Sequence, residues 1–312
     1  EVDKAGFDHY FLKEVFEQPK IIRNSLEGRV RLTKSTIDLA EDLPPMAGTG
    51  SIEVFGCGSA YNAGMLVSNI VSPMINQQVN AHVSSEYNAS LLTKEVGLAV
   101  FLSQSGETAD TLAALKSAKS AGVKTVAITN VPNSSMTRIA EFTLLNKAGL
   151  EESVAASKTF TSQVIDFFLL CLWQSPIPVP SLNDIFVDMH NLPNRLNRVL
   201  DTYQSMEEIA LQISKSDSVF IIGKNLGYPI ALEASLKLKE LAYIHAEAII
   251  SGEIKHGAFA LLTSKTPVIA IAYSGNQYWD VVQTVREIKA RNAPVIVITN
   301  QADGFLGLAD EV

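Results

Sequence analysis

The chain has 312 residues, 47% hydrophobic and 19% charged, with a formal net charge of -8 and two cysteines. At roughly 150 residues per domain, that length corresponds to about two domains, and the apolar content excludes a disordered or fibrous chain. The acidic balance leaves no global positive field for nucleic acid or an anionic membrane, so any bound anion must be held locally.

Cys57 and Cys171 make no disulfide framework, which fits a reducing cytosol. The strongest apolar run, Val164–Trp173, is interrupted by Asp166 and is too short to span a bilayer. The N-terminus lacks a signal-peptide pattern and an initiator Met. It reads as a piece of something longer, with the missing part upstream.

In chain order, residues 1–45 read as helical and amphipathic, with Phe11, Val15 and Phe16 at helical spacing and Pro44-Pro45 as the close. Ser51–Phe55 reads as a strand ending in Gly56-Cys57-Gly58. A helix follows to about Ser72, where Pro73 is expected to stop it. Gly97–Leu102 reads as a buried parallel strand, Thr108–Ala121 as a helix closed by Gly122, and Lys124–Thr129 as the next strand. Residues 188–212 read as a helical connector.

The second half repeats the first. Ser218–Ile222 is a strand leading into a glycine loop and a helix over 229–241. Pro267–Ala272 is a strand ending at Ser274-Gly275, with a helix to about Arg291 and then the strand Val295–Thr299. Ser105-Gly106 pairs with Ser274-Gly275, and Thr129-Asn130 with Thr299-Asn300, at a near-constant offset. The expected fold is therefore α/β: two tandem modules, each a parallel sheet with helices on both faces, related by internal duplication. The expected domains are an N-terminal helical segment 1–45, a first module 46–187, the connector 188–212 and a second module 213–312. The second module reads as lacking its final strand and helix.

Ser103-Gln104-Ser105-Gly106-Glu107-Thr108 lies between a buried strand and a helix start. Hydroxyls and a glycine at a helix N-terminus suit a phosphate monoester, and they are also ordinary caps. Glu233, Lys237 and Glu240 fall on one helical face. They are either a solvated ion-pair ladder or a carboxylate base beside a cation, and the residues alone leave both open. No Cys/His cluster has metal spacing and no G-x-G-x-x-G opens a helix, so neither a metal nor a cofactor is implied. Asn88-Ala-Ser90 and Asn133-Ser-Ser135 match the glycosylation pattern, which a cytosolic chain makes irrelevant.

Ser103–Asp110 resembles the phosphosugar-binding signature of the sugar isomerase (SIS) domain family, and Gly56–Asn62 resembles its first loop. His9–Pro19, Ala231–Glu247 and Gly252–Gly257 are similar to the isomerase half of the glucosamine-6-phosphate synthases, the glutamine–fructose-6-phosphate amidotransferases. The resemblance covers nearly the whole chain. It implies two tandem SIS modules that bind fructose 6-phosphate and convert it towards glucosamine 6-phosphate, in a cytoplasmic homodimer. Ammonia would come from a glutaminase domain upstream of this chain. It further implies that Glu240 moves a proton between C1 and C2, that Lys237 offsets developing negative charge, and that His256 opens the sugar ring in the neighbouring subunit's site. Ser103, Gln104, Ser105 and Thr108 would hold the phosphate, while Gly58, Ser59, Val154 and Ala155 would line the sugar.

There are departures from the family pattern. Ala60 and Ala156 stand where the family usually has serines, and Val312 precedes the family's C-terminal tail with its Schiff-base lysine. His245 is read as structural. The alternatives are a free-standing deaminase or deglycase of an amino-sugar phosphate, and a non-catalytic phosphosugar sensor.

Overall fold

The computed structural model describes residues 3–39, 50–87 and 95–312. Pro44-Pro45 and Asn88-Ala-Ser90 lie outside the described residues. The chain divides into two compact units, Glu1–Asp201 and Thr202–Val312.

The first unit runs α1 (Tyr10–Leu26), β1 (Val30–Arg31), β2 (Thr36–Ile37), β3 (Ser51–Gly56), α2 (Ser59–Ile75), β4 (Val79–Val83) and β5 (Val96–Ser103). It continues with α3 (Ala109–Ser120), β6 (Thr125–Thr129), α4 (Ser135–Ile139), β7 (Phe142–Leu145), α5 (Lys158–Trp173) and α6 (Leu182–Leu200). Strands β4-β3-β5-β6-β7 form one sheet, parallel throughout. Its strands read as continuous apolar runs because both faces are covered. Val54, Val100, Leu102, Val126 and Ile128 pack with α1, α2, α5 and α6 on one face. Phe55, Ala99, Phe101 and Ala127 pack with Leu115 of α3 and Met136 of α4 on the other. The larger of these side chains each contribute about 1.5–3 kcal/mol by leaving water.

The second unit runs α7 (Met206–Ile213), β8 (Ser218–Gly223), α8 (Gly227–Lys237), β9 (His245–Ile250), β10 (Val268–Ala272), α9 (Tyr278–Lys289) and β11 (Val295–Thr299). Its sheet, β11-β10-β8-β9, is also parallel. Val268, Ala270 and Val295 pack with Val281, Val285 and Ile288 of α9. Val219 and Ile221 face Ala231 of α8. The strand orders correspond: β8 takes the place of β3, β10 of β5 and β11 of β6. Where the first unit has β7, Glu311 forms a parallel bridge to Ile296, and its carbonyl accepts the Val297 N–H at 2.8 Å. The duplicated parallel-sheet fold is thus observed.

Three element readings change. The N-terminal segment expected to be helical over 1–45 is helical over Tyr10–Leu26, and Val30–Arg31 then pairs antiparallel with Thr36–Ile37. Pro73 does not stop α2, which continues to Ile75. Ile75 is fully buried, and Asn76 closes the helix with φ +48. Burial of that last turn outweighs the hydrogen bond that proline removes. The third change is in the helix expected over 229–241. Its α-helical part ends at Lys237, and Leu238–Ala242 winds as a π-helical turn.

Candidate active site

In the first unit the sheet brings several predicted residues to the carboxyl ends of adjacent strands. Gly58 caps α2 with φ +55 and is exposed; Ser59 opens the helix half-buried, and Ala60 is buried behind it. The neighbouring loop leaves β5 at Ser103, which is 3% exposed. Ser103 Oγ lies 2.9 Å from Thr108 Oγ1 and accepts the Gly106 N–H at 3.1 Å. Ser105 Oγ accepts the Glu107 N–H at 3.1 Å. Thr108 is the N-cap of α3 but makes no side-chain cap bond. The N-terminal N–H groups of a twelve-residue helix therefore face the loop without that cap. Cys57 Sγ, 3.8 Å from Thr111 Oγ1, ties the first loop to the start of α3.

Glu107 turns away from the cradle. It accepts the Ser135 N–H at 2.6 Å, which holds its carboxyl below the usual carboxylate range. A negative charge that would repel a phosphate is thereby directed at α4 instead. The Gln104 carbonyl accepts the Asn130 N–H at 3.1 Å, and Asn130 Nδ2 donates to the Gly149 carbonyl at 2.6 Å. This chain of bonds links the β5, β6 and β7 loops. Val154 is 94% exposed and Ala155 fully buried. Their segment is held by Glu151, whose Oε1 accepts N–H groups of Ser157 at 2.9 Å and Thr159 at 3.2 Å. Ala156 is half-buried beside them.

In the second unit the face of α8 is an ion-pair cluster. Lys237 Nζ donates to Glu240 Oε2 at 2.7 Å and lies 3.4 Å from Glu233 Oε1. The Lys237 and Glu233 side chains are 16% and 11% exposed, and that of Glu240 33%. This is no fully solvated ladder: the lysine is sheltered between two carboxylates, and Glu240 projects from the π-helical turn as the more accessible one. His256 follows a 3₁₀ turn, Ser251–Lys255, with its N–H on the Glu253 carbonyl at 2.9 Å, and is exposed. His245 lies exposed at the start of the edge strand β9.

Sequence reasoning passed over two supports of the first unit. Glu14 of α1 reaches the loop before Val154, and a buried network surrounds Asp166. Arg29 Nη1 donates to Asp166 Oδ1 at 2.5 Å and Asn146 Nδ2 to Oδ2 at 2.5 Å. Burial pushes the Asp166 carboxyl up to about 6 despite these donors. The signal was present: a charge inside an apolar helix run demands a buried partner. Among the described residues, no group of three or more His, Cys, Asp or Glu is gathered to hold a metal, and no helix is long and apolar enough to cross a membrane.

Residues 46–171 and 212–310 each match the SIS domain. The chain belongs to the SIS domain family. Its two SIS segments bracket the two parallel sheets. The chain is 37% identical to the glutamine–fructose-6-phosphate aminotransferase (isomerizing) of Methanosarcina acetivorans, over 96% of this chain and 50% of that protein. It thus spans about half the length of the curated relatives it matches. The solved C-terminal domain of glucosamine-fructose-6-phosphate aminotransferase from Francisella tularensis superposes with a TM-score of 0.92 at 30% identity, covering 100% of this chain and 90% of that one. Glucosamine-6-phosphate deaminase from Thermotoga maritima, at 19% identity and a TM-score of 0.73 over 97% of this chain and 88% of that one, shares the fold alone.

Proposed function

We propose that this SIS-family chain binds fructose 6-phosphate and isomerises and aminates it to glucosamine 6-phosphate. The ammonia would come from a glutaminase domain. The observation that carries the reading is the Lys237–Glu240 contact on the π-helical turn, a reachable carboxylate with a sheltered cation beside it. The names of the curated relative, half of whose length this chain spans, and of the similar solved C-terminal domain support it.

In this reading Ser103, Gln104, Ser105 and Thr108 hold the phosphate through hydroxyl and helix N-terminal donors. Gly58, Ser59, Val154 and Ala155 bound the sugar. His256 assists ring opening, and its exposure here fits a role in the site of a partner subunit of a homodimer. Ammonia adds to the C2 carbonyl of the open-chain ketose and water leaves. Glu240 then takes a proton from C1 and returns it to C2, leaving the amine on C2 and an aldehyde at C1. Lys237 offsets the negative charge that develops between the two steps. Chemistry on a cytosolic metabolite makes the cytoplasm the working compartment.

The test is calorimetry with fructose 6-phosphate and inorganic phosphate, joined to deuterium uptake into fructose 6-phosphate in D₂O. The sugar phosphate is expected to bind more tightly than phosphate. Glu240→Gln should keep that affinity within about threefold yet slow exchange by about 10²–10⁴. Binding without exchange in the unsubstituted chain would favour a sensor and refute the reading.

A further inference from the structure

Glu14 stands on α1, outside every residue assigned above. It is 2% exposed. Its Oε1 accepts the backbone N–H of Glu152 at 2.5 Å and of Ser153 at 3.2 Å. Lys158 Nζ lies 4.0 Å from that oxygen, itself bonded to Glu17 Oε2 at 2.7 Å and the Leu150 carbonyl at 2.5 Å. Ser153 Oγ in turn accepts the Ala155 N–H at 3.3 Å. One carboxylate oxygen on the first helix therefore fixes the backbone that presents Val154 and Ala155. Its other oxygen, Oε2, is buried with no hydrogen-bond partner among the described residues.

We infer that Glu14 is a positioning residue for the loop 152–155: it sets the register in which Val154 and Ala155 meet the sugar, and so tunes affinity for the sugar part of the ligand. The inference rests on the reading that this loop lines the sugar. Bonds from N–H groups to a carboxylate are about twice as strong as neutral ones, so the anchor is stiff. A cavity of about 280 Å³ beside it, lined by Lys13, Glu17, Lys147 and Lys158, leaves room for the loop to sag once the anchor is gone.

Burial raises the Glu14 carboxyl above its ordinary value, against the lowering by the two N–H groups and Lys158. The folded chain therefore holds that proton more tightly than the unfolded chain, and the stability this adds is lost as pH rises above the ordinary carboxylate range. The phosphate, held by the separate 103–108 loop, should not register its loss.

The test uses the full chain, as wild type, Glu14→Ala and Glu14→Gln. Fructose 6-phosphate and inorganic phosphate are titrated calorimetrically, with thermal melts and hydrogen exchange at the Glu152 and Ser153 amides alongside. Glu14→Ala should bind the sugar phosphate about tenfold more weakly, with phosphate affinity unchanged and both amides less protected. Glu14→Gln retains an acceptor oxygen and should restore most of the affinity. Unchanged sugar affinity in Glu14→Ala, in a wild type that prefers the sugar to phosphate, overturns the inference. A loss that tracks a falling melting temperature in both variants makes Glu14 structural and also overturns it. A wild type with no preference for the sugar removes the sugar-site reading itself, and this inference falls with it.

Discussion

The loops after β5 and β10 occupy the same place in two parallel sheets and share a Ser-Gly pair, yet their donors face different ways. In the first, Ser103 and Thr108 converge, and Asn130 of the next loop points away to the Gly149 carbonyl. In the second, Asn300, the counterpart of Asn130, folds back: its Oδ1 accepts the Ser274 N–H at 2.7 Å and its Nδ2 donates to Ser274 Oγ at 2.9 Å. A single amide thus occupies both the Ser274 N–H and its hydroxyl oxygen. The duplicated halves thus diverged without changing fold. One half carries the hydroxyl-lined loop of Ser103, Ser105 and Thr108; the other ties Ser274 to Asn300 and carries the carboxylate–lysine cluster on α8. The Ser-Gly pair therefore has different surroundings in the two halves, and the next loop's asparagine is one of the differences.

The largest expected contrast lies at the two glycines. Gly106 has φ +66, and a Cβ there would lie 2.2 Å from Ser134 Oγ and 2.9 Å from Thr129 Oγ1. Gly275 has φ +140 with nothing within 4 Å of such a Cβ. Gly106→Ala should cost about 2–4 kcal/mol of stability and weaken sugar-phosphate binding by about a hundredfold or more, because strain and collision add at the cradle. Gly275→Ala should cost about 1–3 kcal/mol from strain alone and leave binding unchanged. Denaturant melts and calorimetry on both variants check this. Equal losses of binding would break the comparison.

Much of this was legible beforehand, for reasons the elements make plain. The strands β5, β6, β8, β10 and β11 are uninterrupted apolar runs, as strands with largely covered faces are, and glycine or hydroxyl residues mark most of their ends. The strands β4, β7 and β9 escaped notice because all three lie at sheet edges, where β4 (Val-Asn-Ala-His-Val) and β9 (His-Ala-Glu-Ala-Ile-Ile) carry polar residues and β7 has only four residues. Site chemistry showed itself where local spacing creates it, as with Glu233, Lys237 and Glu240. It stayed hidden where residues far apart in the chain meet. Nothing local to Glu14 or Arg29 announces Glu152 or Asp166, more than a hundred residues away. Nor does any local pattern reveal that Asn300 closes a loop which Asn130 leaves open.

Serine truncation sharpens the comparison at smaller scale. Ser103→Ala removes the acceptor of the Gly106 N–H and the partner of Thr108. It should weaken fructose 6-phosphate and phosphate alike, about tenfold. Ser274→Ala loses only the hydroxyl that Asn300 Nδ2 meets on an exposed loop, and should change neither affinity. An equal effect of both on phosphate affinity would mean that the second loop also binds anions, with Asn300 displaced.

The smallest expected effect separates the two units by the sign of their response to pH. Burial pushes Asp166 up to about 6 although Arg29, Asn146 and Ser162 pull it down. The folded first unit therefore holds that proton more tightly than the unfolded chain. The stability this adds is lost as pH rises through about 6, so the first unit should gain about 1 kcal/mol from pH 7 to 5. Asp310 in the second unit behaves oppositely. Burial raises it, but the bonds from Lys289 and the Val295 N–H outweigh this and hold its carboxyl below the usual value. Its contribution is intact at pH 5 and is lost only as pH falls below the ordinary carboxylate range. Native-state hydrogen exchange at pH 7 and 5, corrected for intrinsic rates, should show slower opening at β6 and no gain at β11. Asp166→Asn should flatten the first response and leave the second. A gain that survives Asp166→Asn would assign the proton to another carboxylate of the first unit, with Glu14 the next to substitute because burial raises it in the same direction.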